Sequence, residues 1–487
     1  MAMTQKQRTL STLLVTASVA AALGSYAWFG VYQKGVADQK QKDSRNTLFG
    51  FKKDEVKKVV VSAKGEATTI ERDGTEWKIT APILTKADKL SVDALIDKVA
   101  GLKRKRGIEG VTDLKPYGLD KPTITVDLTL DSGTTEKLSL GADNSYDGTL
   151  FASTSGSGDV DVCEAALKYP LDKSLFDLRD KRVFDFDDGD LTELDVVAPK
   201  VSFSLSRQSS TDWKILSPIQ DKADAAKAQQ LASALKNLRA TRYAAETATA
   251  EDLKRFGLDH PGYTVNVTLG KESAQKTLTI ADVKEAGAEH VYAKRAADPW
   301  IAEVPTSILK DLDVTTMDLR DKTILSFKQE DARALYFTAT TTTGTAAFGA
   351  DRHREKTDAG FGPDSWTMSS PAQGAAKRWK ASSILSTLET LKGSTIVSEN
   401  PTAAELSKWG LDHPAKVARV LGEGGKLLAE LEVGKIDSNK VWVKSAASPR
   451  VFQVESYRIS QIPTSAADLA ETPSPEKDGG AATTAKR

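Results

Sequence analysis

The sequence predicts an α+β protein: three tandem repeats of one mixed strand and helix module, with mainly antiparallel sheet, behind a single N-terminal transmembrane helix. Three observations carry this expectation. A tryptophan motif and a glycine motif each occur three times in the same order, an apolar helical pattern separates them every time, and an uncharged stretch opens the chain. A chain of 487 residues is also too long for one ordinary core.

The opening stretch runs from Leu10 to Tyr32 without a charged residue, and Leu13, Leu14, Val15, Val19, Leu23, Trp28, Phe29 and Val31 make it apolar. It has the length of roughly 20 residues that crosses a bilayer. Lys6 and Arg8 precede it, and Trp28 and Tyr32 stand where aromatic side chains meet the interface. A cleaved signal peptide ending at Ser25-Tyr26-Ala27 is the alternative, but the apolar stretch continues past that site. The expected order is a flank at 1–9, an anchor at 10–32 and a linker at 33–48. Lys34, Lys40, Lys42 and Arg45 lie downstream, so counting positive charges does not favour a cytoplasmic N-terminus.

Repeat modules are expected at 49–181, 182–322 and 323–468. Each carries Trp-x-[Ile or Met]-x-x-Pro: Trp77 to Pro82, Trp213 to Pro218 and Trp366 to Pro371. Each then carries Leu-x-x-aromatic-Gly-Leu-Asp-x-Pro. The glycine, aspartate and proline are Gly118, Asp120 and Pro122, then Gly257, Asp259 and Pro261, then Gly410, Asp412 and Pro414.

Between the motifs, Leu95, Val99 and Leu102 match Leu231, Leu235 and Leu238, and Ile384, Leu388 and Leu391. Their spacing puts them on one face of a helix that buries against a sheet. Asp88 and Asp224 fall at the N-caps, and Lys377 in the third copy loses that cap. Ile124 to Leu130 and Tyr263 to Leu269 alternate apolar and polar residues, which marks half-buried strands. Phe51, Phe186 and Phe327 open the segments leading to Val59-Val60, Val196-Val197 and Tyr336-Phe337. A short terminal helix closes each module. Leu-Arg-Asp-Lys ends the first two, at Leu178 to Lys181 and Leu319 to Lys322, but not the third.

The third copy carries an inserted loop at about 340–363. From Phe327 to Trp366 is 39 positions, against 26 from Phe51 to Trp77 and 27 from Phe186 to Trp213. A tail at 469–487, rich in Pro, Gly, Ala and Thr, is expected to be disordered.

At these motifs the chain resembles the bacterial domain-of-unknown-function 4340 family, in which Trp-x-Ile-x-x-Pro, an Ala-Asp helix start and Gly-Leu-Asp-x-Pro recur. The likeness runs from about residue 49 to 468 and fails at the anchor, the insertion and the tail. The resemblance implies one N-terminal membrane helix and association with an ABC-type transporter carrying a gliding-motility-type auxiliary component. It implies nothing about catalysis.

Little in the sequence points to chemistry. Lys plus Arg and Asp plus Glu both total 67, so no net basic field draws nucleic acid. The single cysteine, Cys163, excludes an internal disulfide and a multi-thiolate zinc site. It aligns with Val304 and Val454, which marks a buried apolar position. His260 and His413 align with Lys121, and neither His290 nor His353 has a partner at ligand spacing. Asp120, Asp259 and Asp412 could be acids, but next to a helix-ending glycine they are expected to fix a bend. The three tryptophans are expected beneath the helices rather than on a sugar-stacking platform. Gly422 to Lys426 is expected to be a hairpin turn, and Lys103 to Arg106 a solvated basic run at a helix end.

No catalytic residue, cofactor or metal is expected. The expected function is that of a non-enzymatic envelope protein, held in the inner membrane by residues 10–32, with the bulk of the chain periplasmic and transporter subunits as partners. An extracytoplasmic ligand- or glycan-binding protein is the alternative, and an enzyme of unknown class a third.

Overall fold

In the computed structural model the described residues are 46–471, except 145, 156–157, 271–273, 283–286, 343, 355, 358–359, 362–363 and 372, together with 25, 28 and 32. The anchor expected at 10–32, apart from those three residues, the linker up to 45, and the tail from 472 onward lie outside them. Among the described residues no helix is long and apolar enough to cross a membrane.

Three nine-stranded antiparallel sheets account for the three repeats. In the first, the strands are β1 (Val56–Ala63), β2 (Glu66–Asp73), β3 (Glu76–Ala81), β4 (Thr85–Lys86), β5 (Arg106–Ile108), β6 (Ile124–Leu130), β7 (Thr135–Asn144), β8 (Thr149–Thr154) and β9 (Val160–Glu164). Their order across the sheet is β4-β3-β2-β1-β6-β7-β8-β9-β5. The other two sheets repeat that order, with strands running from Leu191–Val197 to Ile301–Pro305 and from Ala334–Thr341 to Val451–Glu455. The balance between helix and strand therefore corrects the α+β expectation: each module is mostly β, with one helix of any length. The edge strands β4 and β5 are two and three residues long, too short to show a periodicity in sequence.

That helix joins β4 to β5, the two opposite edges. It is α1 (Lys89–Ala100), α2 (Ala225–Lys236) and α3 (Arg378–Glu389) in the successive modules. A 12-residue helix is about 18 Å long. Nine flat strands are about 38 Å broad at ~4.8 Å each. Yet Val92, Leu95, Ile96 and Val99 of α1 share a single core with inward residues of β1 to β3 and β6 to β9. The sheet must curl about the helix for one stripe to reach them all.

The caps behave as the residues dictate. The Asp88 carboxylate accepts from Ser91 N at 2.8 Å, and Asp224 accepts from Ala226 N and Lys227 N, whereas Lys377 makes no side-chain cap. Each carboxylate cap contributes about 1 kcal/mol. Leu102, Leu238 and Leu391 are buried as expected but lie beyond the helix ends at Ala100, Lys236 and Glu389. Lys64 and Gly65, both at positive φ, make the two-residue turn between β1 and β2 that matches the strand twist. The Trp motif prolines follow cis peptide bonds in all three copies.

In the third module, the strand Gly344–His353 pairs with Ala334–Thr341 and takes up much of the span 340–363. The extra sequence beyond it holds a small hairpin of Lys356–Thr357 and Gly360–Phe361.

The chain divides into two compact units. One comprises 1–183 with 239–243; the other comprises 184–238 with 244–487 and contains the third sheet whole.

Candidate functional site

Each tryptophan of the repeated motif is buried, on the strand next to the helix-bearing edge. An arginine from the neighbouring strand lies over each indole: Arg72 over Trp77 at 4.5 Å, Arg207 over Trp213 at 5.5 Å and Arg352 over Trp366 at 5.8 Å. Each guanidinium also donates to backbone carbonyls, as from Arg72 to Val56 O and Lys53 O, Arg207 to Asp188 O, and Arg352 to Gln329 O. Indole face, guanidinium and backbone thus close one end of each core by cation–π attraction and charge-assisted hydrogen bonds. The tryptophans are structural and offer no platform.

Gly118, Gly257 and Gly410 have φ of 67°, 71° and 67°. Such values suit a residue without Cβ at the end of a helical turn. The leucine after each glycine donates back across the turn, Leu119 N to Leu114 O, Leu258 N to Leu253 O and Leu411 N to Leu406 O. This is the six-to-one bond of a Schellman motif, and Leu119, Leu258 and Leu411 are buried. The bend is held by backbone and leucine. Asp412 accepts from His413 N at 2.9 Å, while the side chains of Asp120 and Asp259 lie at the exposed surface.

Pro82, Pro218 and Pro371 are exposed at the tips that precede the edge strands, and the prolines after the glycine motif, Pro122, Pro261 and Pro414, are half-buried. The tips and the helix starts beyond them differ among modules: Leu84 at the tip and Leu90 in the helix are exposed in the first, Leu216 and Ile219 around the tip in the second, and Trp379 in the helix of the third.

The histidines are scattered. His260 projects into solvent, His290 begins a strand, and His353 ends another, with its Nε2 2.7 Å from Thr367 Oγ1. Among the described residues no three His, Cys, Asp or Glu side chains gather as metal ligands. Cys163 is fully buried with Val304 and Val454 at the equivalent positions, and burial pushes its thiol up to about 12.

The Leu-Arg-Asp-Lys tetrapeptide ties one module to the next. Its leucine and aspartate secure their own helix start: Asp88 N donates to Leu178 O and Asp180 N to Lys86 O, repeated by Asp224 N to Leu319 O and Asp321 N to Lys222 O. Its lysine carbonyl then accepts from the following module, Ala240 N to Lys181 O and Gly393 N to Lys322 O, both at 2.8 Å. In the first module Asn46 O takes that place, accepting from Arg104 N at 2.8 Å. In the third module Ala470 replaces the arginine, yet Lys377 N still donates to Leu469 O.

The arginine works sideways. Arg179 lies 3.4 Å over the Tyr243 ring within the first unit. Within the second, Arg320 pairs with Asp221 and reaches Glu399, and Arg450 pairs with the same two carboxylates. Lys392 of the third module also pairs with Asp224 of the second at 2.8 Å.

Two cavities stand out among the described residues. One, of about 450 Å³, lies in the third module beside Arg352, Arg354 and Glu389; both arginines pair with Asp364. The other, of about 420 Å³, lies in the first module at the end of α1 and is lined by Lys98, Lys103, Arg104, Lys105, Glu164 and Asn46 among others. Sequence reasoning placed the 103–106 run in solvent and missed this cavity, because the wall formed by Asn46 and Glu164 comes from distant sequence.

Three sheets of one strand order, each with one helix of twelve residues, define a tandem-module protein whose repeated residues serve the fold. The profile of the family described as "Domain of unknown function (DUF4340)" matches residues 77–250, 244–365 and 366–474, and the chain belongs to that family. Its matches begin near a motif tryptophan in the first and third segments, whereas each sheet begins upstream of it. Neither a curated protein nor a solved structure matches the chain.

Proposed function

We propose that this protein is a non-catalytic, membrane-tethered scaffold of the cell envelope, whose modules present surfaces to a membrane partner such as the subunits of an ABC-type transporter. One observation carries the reading. The tryptophans, glycines and leucines common to the three copies are engaged in core, bend and joint, and apart from the exposed motif prolines and aspartates the copies differ in what they expose. Those differences include the basic run of the first module and the exposed apolar side chains near the edge-strand tips, and the third module carries an inserted hairpin besides. Partner choice by unlike surfaces on like scaffolds is how repeat proteins bind.

The tether rests on the uncharged Leu10 to Tyr32 stretch, with the modules on the periplasmic side. Its test is fractionation of the full chain against a variant with that stretch replaced, followed by crosslinking in native membranes and mass spectrometry. Anchor-dependent recovery of transporter subunits is the expected result. A chain that stays in the soluble fraction, or a C-terminal reporter active only in the cytoplasm, would overturn the placement. Recovery of no protein partner would favour the ligand-binding alternative, for which the two cavities are the places to look.

A further inference from the structure

The second module receives the third at its helix start, and both lie in one compact unit. Asp221, eight positions beyond Trp213, pairs with Arg450 at 2.9 Å, and Asp224, eleven beyond, pairs with Lys392 at 2.8 Å. The second module thus offers carboxylates to cations that the third brings.

The third module carries the same face with its charge reversed. Eight and eleven positions beyond Trp366 stand Gly374 and Lys377, and Ala470 takes the place of Arg320. Lys377 is held by its own module: its Nζ donates to Ala467 O at 3.2 Å and Asp468 O at 3.4 Å. Arg378 and Trp379 follow, where the second module has Ala225 and Ala226. Arg378 is exposed and Trp379 is 67% exposed, with Lys380 Nζ 5.8 Å from the indole and donating to Gln461 Oε1 at 2.7 Å. Positions 221, 222, 224–227, 320 and 321 of the second module hold three acids and three bases. The matching positions 374, 375, 377–380, 470 and 471 hold three bases and one acid, Glu471. Near by, the Asp468 carboxylate is taken up by Thr464 N and Ser465 N.

We propose that this face of the third module docks an acidic segment of a protein partner, with carboxylates on Lys377 and Arg378 and an apolar side chain packed on Trp379. The inference rests on the scaffold reading above for the existence of a protein partner, and not on the tether. A protein suits the face better than a lipid surface does, because the equivalent face of the second module is already a protein joint closed by ion pairs. A further module of the same kind does not suit it: one entering as the third does would set an arginine and a lysine against Lys377 and Arg378. Opposite charge steers and registers such a contact, and an exposed tryptophan among cations has the composition of a binding hot spot.

The test places the photocrosslinker p-benzoylphenylalanine at Ser383, one turn along α3 from Trp379, in the full chain in its native cells. Irradiation should give a protein adduct whose crosslinked peptide, mapped by mass spectrometry, carries more Asp and Glu than Lys and Arg. Trp379→Ala and Arg378→Glu should each cut its yield about fivefold or more, and Arg378→Lys should keep it. Thermal melting of each variant separates lost docking from lost folding. An adduct with lipid, with a second copy of this chain or with a peptide lacking the acidic excess would overturn the proposal, as would a yield unmoved by Trp379→Ala. The same photocrosslinker at Leu84 and at Ile219, both exposed, separates this inference from the reading beneath it. Protein adducts there with none at Ser383 would overturn this face alone, and no protein adduct at any of the three would remove the scaffold reading with it.

Discussion

Arg320 Nε lies 2.6 Å from Asp221 Oδ2 with both side chains more than nine-tenths buried, a pair within the second module that Glu399 and Arg450 of the third join. Arg320 also reaches Glu399 Oε1 at 2.5 Å, while Arg450 donates to Asp221 and Glu399 at 2.9 and 2.8 Å. Two cations and two anions make a neutral box. Removing one member leaves a buried charge short of its partner, which costs about 3 kcal/mol. Arg320→Met should therefore lower the stability of this unit by that order in urea unfolding. Arg320→Met with Asp221→Leu should recover most of it, since paired apolar replacement spares the desolvation. A single variant within about 0.5 kcal/mol of the parent would show that the box contributes no coupling.

Acid should loosen the same unit and the first one for a common reason. Burial pushes the Asp221 carboxyl up, but hydrogen bonds from Arg450 and Arg320 outweigh it and hold the group below its ordinary value. For Asp177 burial again acts upward, and Ser174 and Lys64 bring it down to about 2. A carboxylate lowered on folding adds stability that is whole above its unfolded value near 4 and is lost as pH falls towards the folded value. Melting temperature should thus drop between about pH 4 and pH 2. Asp177 is 34% exposed, so solvent screening limits its share to about 1 kcal/mol. Asp177→Asn should flatten the acid limb by that amount; an unchanged limb would remove Asp177 from the explanation.

Much of this architecture was legible in the sequence, for identifiable reasons. Motifs repeated at fixed spacing gave the modules, and the alternating runs Ile124–Leu130 and Tyr263–Leu269 became strands with those bounds. Asp88 and Asp224 cap because cap chemistry is local. What escaped depends on tertiary register. The arginine over each tryptophan lies 5, 6 and 14 positions upstream of it, so no common spacing announces Arg72, Arg207 and Arg352. The partners Asp221, Glu399 and Arg450 are similarly remote from Arg320 in the chain. The strand Gly344–His353 begins with Gly, Thr and Ala, small and exposed, and shows no apolar alternation there.

Cys163 offers a check on the core of the first module. Its thiol is fully buried and pushed up to about 12, so it holds almost no thiolate near neutral pH. A maleimide should leave it unmodified in the native chain and react at once in denaturant. Cys163→Val, which copies Val304 and Val454, should change stability by less than about 1 kcal/mol. Rapid labelling of the folded chain would place this strand at an accessible surface and contradict the curled sheet.

The tryptophans differ in one respect that the repeats themselves can test. Trp77 Nε1 donates to Asp93 Oδ1 at 2.9 Å, whereas the buried Nε1 atoms of Trp213 and Trp366 meet no acceptor. The counterpart of Asp93, sixteen positions beyond the tryptophan, is Gln229 in the second module, and its amide nitrogen turns to Ser233 Oγ. An unsatisfied buried donor costs about 1–3 kcal/mol, more than the few tenths by which Asp is a poorer helix former than Gln. Gln229→Asp should therefore stabilise the second module by about 1 kcal/mol. Asp93→Ala should destabilise the first by about 1–2 kcal/mol by orphaning Trp77 Nε1. Urea unfolding of the two variants reads both signs, and near-ultraviolet circular dichroism reports whether the indoles keep their packing. If Gln229→Asp destabilised the chain while the indole signal held, the Trp213 nitrogen would have to be satisfied in some other way, and the equivalence of the two sites would fail at this atom.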